Sequence, residues 1–316
     1  MSPVARMYEE IVDALGDLHG VHPGYRAAHA KGVFCRGTFT ATPRARELTR
    51  AAHMRGEPVD VLARFSNGSG NPDAPDADRR EGRGMATSFR LPNGDRTDIV
   101  AISIPVFFVR TAEDFLEFVR ARKPDPETGE MDMEKVGAFV AAHPETQAAL
   151  ELILPTLVPP ASYAKCAYNG LHAFAFVDAT GERRFGRYRW EPDAGARALS
   201  DEEIEASGPD YLQEEIADRL AAGPIGFTLR MRLAEDGDPL EDPTVPWPEE
   251  RPEVTLGVLT LTEVDADAER DGELIVFDPT KLTDGIEPSN DEILATRPHA
   301  YAVSAERRSA AGRTAG

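Results

Sequence analysis

Apolar residues recur near the N-terminus as Met7, Ile11, Val12, Leu15 and Leu18. Steps of three and four put them on one side of a helix, so Met1–Gly20 is predicted to be an amphipathic helix. The period then changes to two. Val33, Cys35, Gly37, Phe39 and Ala41 share one face of a predicted strand over His29–Thr42, and Thr38, Thr40 and Thr42 opposite them favour extended backbone. Val59–Ser66, Met85–Leu91 and Asp98–Val109 read as further strands, the last two joined by a turn at Asn93-Gly94. Asn67–Arg83 is rich in Gly, Asp and Pro and long for a plain connection, which makes it a candidate functional loop.

Helical spacing returns in Glu113–Arg122, Met133–Ala142 and Glu145–Leu154, and Pro159-Pro160 ends that run. Leu171–Asp178 and Arg184–Trp190 form a predicted hairpin with Thr180-Gly181 at its turn. Asp210–Ala222 is a predicted helix; Phe227–Ala234 and Glu253–Val264 are predicted strands. A last helix is expected from an N-cap at Ser289, with Asp291 and Glu292 in its first turn, to Arg308, and Pro298 should kink it or mark its register. Ser309–Gly316 is small and polar and is expected to be a disordered tail. Many antiparallel-type strands around a helical insertion point to an α+β fold, arranged as a closed antiparallel β-barrel with helices outside. No linker or internal repeat divides the chain, so residues 1–308 are expected to be a single domain.

Charge narrows the partners. A net charge of -20 over 316 residues repels nucleic acid and anionic membrane, so neither is an expected partner. Cys35 and Cys166 are far apart and form no Cys-x-x-Cys pair, so a disulfide framework or zinc site is not indicated. The N-terminus lacks the basic start and apolar core of a secretory signal, and no apolar run approaches ~20 residues. A cytoplasmic location is the resulting expectation.

Candidate chemistry is concentrated in a few places. Arg297 and Tyr301 lie four residues apart and Arg308 seven further on. At a helical pitch of about 100° per residue the three fall within about 40° of one face. A guanidinium within hydrogen-bond reach of a phenol favours the phenolate, an anionic oxygen ligand for a metal; a surface cation–aromatic pair is the plainer reading. His29 sits beside small residues at a strand start, where it can face a cavity. Arg64 and Ser66 share one face of their strand and can together bind a carboxylate and orient an imidazole. Gly84 lets backbone approach a flat ligand. Ser103–Val109 is apolar and aromatic, as a core strand would be.

In this order the segments resemble the haem catalase family. Val276-Phe277-Asp278-Pro279-Thr280-Lys281-Leu282 and Gly285-Ile286-Glu287-Pro288-Ser289 ahead of Arg297 and Tyr301 carry most of the likeness. Arg26 to Gly32, Arg64-Phe65-Ser66, Arg83 to Ala86, Pro105 to Phe108 and Asp242-Pro243-Thr244 before Trp247-Pro248 agree with it. The resemblance implies a catalase-like antiparallel barrel core, surrounding helices and a C-terminal helix that carries the haem ligand. It implies haem b iron bound by Tyr301, with Arg297 on the phenol oxygen. It further implies His29 as the distal catalytic histidine oriented by Ser66, Arg26, Arg64 and Arg308 at the haem propionates, and Phe107 beside the haem.

Two departures shape the functional expectation. The chain is far shorter than typical catalases and looks like the minimal, catalase-related peroxidase branch. The distal asparagine of the family falls on Ile102, which is apolar. The expectation is a haem peroxidase that reduces hydrogen peroxide or organic hydroperoxides with a small organic electron donor and has weak catalase activity. A homodimer is one assembly left open. A catalase-fold fatty-acid hydroperoxide isomerase, a haem carrier or sensor, and a metal-free ligand-binding barrel are the alternatives. Ala28 before His29 weighs against the isomerase, and His29 together with Ser66 against the carrier.

Overall fold

The computed structural model describes residues 3–269 and 274–314. In chain order it contains α1 (Pro3–His19), β1 (Gly32–Ala41), α2 (Pro43–Leu48), β2 (Val59–Asn67), β3 (Arg83–Arg90), β4 (Arg96–Ile102), α3 (Ala112–Ala121), α4 (Met133–Ala142) and α5 (Pro144–Ile153). There follow β5 (Tyr168–Asn169), β6 (Phe174–Val177), β7 (Arg183–Pro192), α6 (Asp201–Ala206), α7 (Tyr211–Ala222), β8 (Ile225–Leu233), β9 (Glu253–Val264), β10 (Ile286–Pro288) and α8 (Glu292–Thr314). The strands pair in the order β10-β6-β7-β5-β4-β3-β2-β1-β9-β8, and β8 pairs back to β7. That last pairing closes eight strands into an antiparallel barrel, with β6 and β10 as an extension from β7. Closure removes the sheet edges that an open array would expose.

The barrel is packed solid. Phe39, Phe65, Phe89, Tyr163, Tyr168, Trp190 and Phe227 fill its centre and are wholly buried. Phe39 meets Phe89 edge-on at 5.2 Å. Filling the lumen leaves the outer face of the sheet for any ligand. Alternation decides which residues reach that face. Phe65 points inward, so its neighbours Arg64 and Ser66 point outward, yet both are buried. The chain before β1 and helix α8 lie over them; the backbone N–H of Ala27 donates to Ser304 Oγ on α8 at 3.2 Å. The N-terminal stripe behaves as its period predicts. Ile11 and Ala14 of α1 pack on Leu116 and Val119 of α3, with Ala300 of α8 alongside.

Several boundaries differ from the sequence reading. β1 starts at Gly32, because the N–H groups of His29 and Ala30 bond instead to the carbonyls of Gly68 and Ser69 in the long loop. β4 stops at Ile102 rather than running on to Val109: Pro105 has no N–H to give, and the N–H of Phe107 goes to Pro243 O at 2.8 Å. Asp291, not Ser289, caps α8, its Oδ1 accepting the N–H of Leu294 at 3.1 Å. The N–H of Ser289 is drawn to Ala173 O just beyond β10. Pro298 lies inside α8, which is continuous through it. The helix also extends to Thr314, where a disordered tail was expected from Ser309; Ala310 and Ala311 are strong helix formers. Residues 315 and 316 lie outside the described residues. The short helices α2 and α6 went unpredicted, although Thr42 caps one and a Ser200–Glu203 capping box starts the other.

Candidate active site

The outward row of the sheet is Gly32, Ser66, Gly84, Ile102 and Asn169, paired in register from β1 to β5. His29 lies against this row. Its φ of 57° makes it the one non-glycine residue with left-handed backbone among the described residues. That turn brings the ring over Gly84, and Nδ1 lies 3.0 Å from Ser66 Oγ. A Cβ on Gly84 would stand 2.8 Å from Ser66 Oγ and 3.0 Å from the His29 ring. Gly84 thus makes room for the His29–Ser66 pair. The ring keeps some accessible surface but is hemmed in by protein. Burial, then the charges of Arg64, Arg297 and Arg26, lower its pKa from 6.5 to about 3. It is a neutral imidazole at neutral pH.

Helix α8 supplies the second half. Arg297 Nε donates to Tyr301 Oη at 2.8 Å, and the guanidinium carbon lies 5.6 Å from the ring centre. The i, i+4 spacing produces this contact directly. Behind it is a pair that the sequence reading passed over. His172 Nδ1 donates to Asp291 Oδ2 at 2.6 Å, and both side chains are buried. Burial lowers the His172 pKa against the opposing pull of Asp291, and Arg297 and Arg187 push it the same way. The cap of α8 is therefore also the anchor of an imidazole close to Arg297. A histidine in an apolar stretch, Leu171-His172-Ala173-Phe174, was the available signal, but nothing in sequence joins it to Asp291 so far away.

Three arginines gather around Phe34 and Glu269. Arg26 and Arg64 place their guanidinium carbons 5.7 and 5.5 Å from the Phe34 ring centre. Arg26 and Arg308 both bond Glu269. Arg64 Nη2 donates to Ala30 O at 3.1 Å. The Nε atoms of Arg64 and Arg308 are buried without a partner among the described residues. Burial, followed by the charge of Arg26, lowers the Arg64 pKa to about 9.

The structure thus brings together seven of the eight residues singled out in the sequence. Phe107 is stacked on Phe108 at 4.4 Å and Phe115 at 6.0 Å between centroids, in apolar clusters that include Ile102 of the outward row and Ile293 of α8. The long loop is held by Arg83, fully buried, whose guanidinium donates to the carbonyls of Asp76, Asp78 and Glu81. Two open clefts, of about 960 and 710 Å³, lie elsewhere on the barrel, and none of the eight residues lines either.

An imidazole–serine pair under the charge of an arginine that itself bonds a phenol can be compared with known proteins. The family model described as Catalase matches residues 22–313. A catalase-related peroxidase of Mycolicibacterium paratuberculosis is 39% identical over 311 residues, which cover 97% of this chain and 96% of that protein. One from Synechococcus elongatus is 37% identical over 300 residues, covering 95% and 88%. Catalase A from Saccharomyces cerevisiae superposes with a TM-score of 0.81 at 25% identity, covering 94% of this chain and 64% of the yeast chain. With the closed barrel, the helix-borne phenol and a match across nearly its whole length, the chain belongs to the catalase family.

Proposed function

We propose that the protein is a haem peroxidase that reduces hydrogen peroxide or an organic hydroperoxide at the expense of a small organic electron donor. The observation that carries this reading is the placement of the His29–Ser66 pair near Arg297 and its hydrogen-bonded Tyr301. The residues suit haem b. Tyr301 offers an oxygen donor backed by a cation, as phenolate ligation requires. Arg26, Arg64 and Arg308 offer guanidinium groups to two carboxylates, and the partnerless Nε atoms of Arg64 and Arg308 are donors that such carboxylates satisfy. When bound, the iron of the haem supplies the redox chemistry of peroxide reduction.

The chain supplies the proton handling. With Nδ1–H donating to Ser66 Oγ, the other ring nitrogen of His29 carries a lone pair and takes the proton from one peroxide oxygen. It returns that proton to the other oxygen as the O–O bond breaks. Ser66 fixes the ring, and Gly84 keeps the space beneath it clear. Carboxylates on Arg64 and Arg26 offset two of the charges that, after burial, lower the His29 pKa.

Ile102 sets the balance between donors. It shares the outward row with Ser66 and Gly84, so it adds an apolar side chain beside His29. The Ile102 side chain offers a second small polar peroxide no hydrogen bond, and an organic reductant is favoured instead. The test compares oxygen release with oxidation of an aromatic donor at matched peroxide, in wild type and Ile102→Asn. Donor oxidation should dominate in wild type, and oxygen release should rise in the variant. Dominant oxygen release in wild type with negligible donor oxidation would refute the peroxidase reading.

A further inference from the structure

Glu269 holds the donors that a ligand carboxylate would need. Its Oε1 accepts from Arg26 Nη2 at 2.6 Å, from Arg308 Nη1 at 3.0 Å and from the Ile275 N–H at 3.1 Å. Its Oε2 accepts from Arg26 Nη1 at 3.0 Å. The pairing with Arg26 is the two-pronged geometry that guanidinium groups form with carboxylates. Burial raises the Glu269 pKa, but the hydrogen bond and charge of Arg26 and the charge of Arg308 outweigh it and leave the pKa below the ordinary value.

Among the described residues the charges of this cluster do not balance. Arg26, Arg64 and Arg308 carry three positive charges, and Glu269 removes one. Arg64 has no carboxylate within ion-pair distance among the described residues; it bonds a carbonyl and leaves Nε unpaired. Buried cations without anions are costly, so the surplus favours an anionic ligand. Haem presents two carboxylates, and geometry limits where they can bond. The Arg308 side chain is 5% exposed and held in place, whereas that of Glu269 is 23% exposed and lies at the rim. Glu269 is the partner that can turn to water without uncovering the core.

We infer that Glu269 is a built-in competitor for the cofactor: it bonds Arg26 and Arg308 in the cofactor-free protein and yields them to a haem propionate on binding. The inference rests on the haem reading above and adds a residue that governs cofactor uptake. It differs in sign from a positioning role. A residue that merely orients the arginines would weaken haem binding when replaced, whereas a competitor strengthens it.

The experiment is titration of the apo-protein with hemin, followed by Soret absorbance, in wild type and Glu269→Gln. A parallel titration uses hemin dimethyl ester, whose esterified propionates carry no charge. The variant should bind hemin on the order of tenfold more tightly, about the worth of one charge-assisted hydrogen bond. It should show no such gain with the ester, and its apo form should melt at a lower temperature. Should that variant not fold, Glu269→Asp, which draws the carboxylate back by one methylene, should show a smaller gain of the same sign. Equal or weaker hemin binding in the folded variant, or an equal gain with the ester, overturns the competitor role alone. A wild-type protein that takes up no hemin overturns the haem reading itself, and this inference with it.

Discussion

At the scale of single residues, His29 combines three constraints. Its backbone is left-handed, its ring rests over a residue without a Cβ, and Nδ1 is committed to Ser66. Each constraint aims the ring, and none serves to hold a cofactor. His29→Ala should therefore keep its haem, measured by absorbance per protein, while donor oxidation falls by about 10²–10⁴-fold. Near-wild-type turnover would remove His29 from the mechanism. Gly84→Ala is expected to act indirectly. A methyl group 2.8 Å from Ser66 Oγ forces the pair apart. Overpacking of this kind costs about 1–3 kcal/mol, read by denaturant unfolding, and turnover should fall further than stability alone explains. The positions of His29 and Ser66 were legible in their sequence segments. The use of Gly84 was not, because what a missing Cβ makes room for depends on which side chain folds over it.

At the scale of elements, α8 does most of the organising. One helix presents Tyr301, its Arg297 and, two turns on, Arg308, and its cap Asp291 binds His172. The helical period alone puts the first three on one face, so this half of the site was readable in advance. His172 comes from the segment just before β6, and only the tertiary fold brings it to the helix start. Tyr301→Phe should lose haem or shift its visible spectrum, and an unchanged spectrum with full haem content would displace Tyr301 as ligand. The arginines come from three elements: the chain before β1, β2 and α8. Replacing Arg64 and Arg308 together with leucine removes two cations and both partnerless Nε atoms. The double variant should bind hemin more weakly in apo-protein titration; unaltered affinity would argue against this cradle.

At the scale of the whole molecule, buried neutral histidines tie stability to pH. Burial first, aided for His19 and His29 by nearby arginines, lowers the pKa of His19 to about 4 and of His29 and His53 to about 3, from an ordinary 6.5. The unfolded chain takes up these protons near 6.5 and the folded chain refuses them. Stability contributed by these groups is thus full above about 6.5 and is lost as pH falls toward 3. His53 is the cleanest probe, since its Nδ1 has no partner and its ring packs on Phe89 at 5.0 Å. In the apo-protein, His53→Phe should flatten the fall of unfolding free energy between pH 6.5 and 4 by up to one proton. An unchanged slope would show that His53 is protonated in the folded state.

The sequence by itself determined what depends on local order. Period two and period 3.6 marked most of the long strands and helices, and the i, i+4 pair on α8 was visible without coordinates. Alternation around Phe65 put Arg64 and Ser66 on one face. Tertiary structure decided the rest, because those features arise from residues far apart in the chain. Closure between β7 and β8 filled the barrel with aromatic rings and so moved the site to its outside. The hydrogen bonds of His29 and Ala30 to the long loop, rather than to a strand, turned the imidazole inward. Glu269 met Arg26 across 243 positions and Arg308 across 39. No period or motif encodes such a meeting: charge pairing in a poorly solvated space selects it once the barrel has brought the groups within reach.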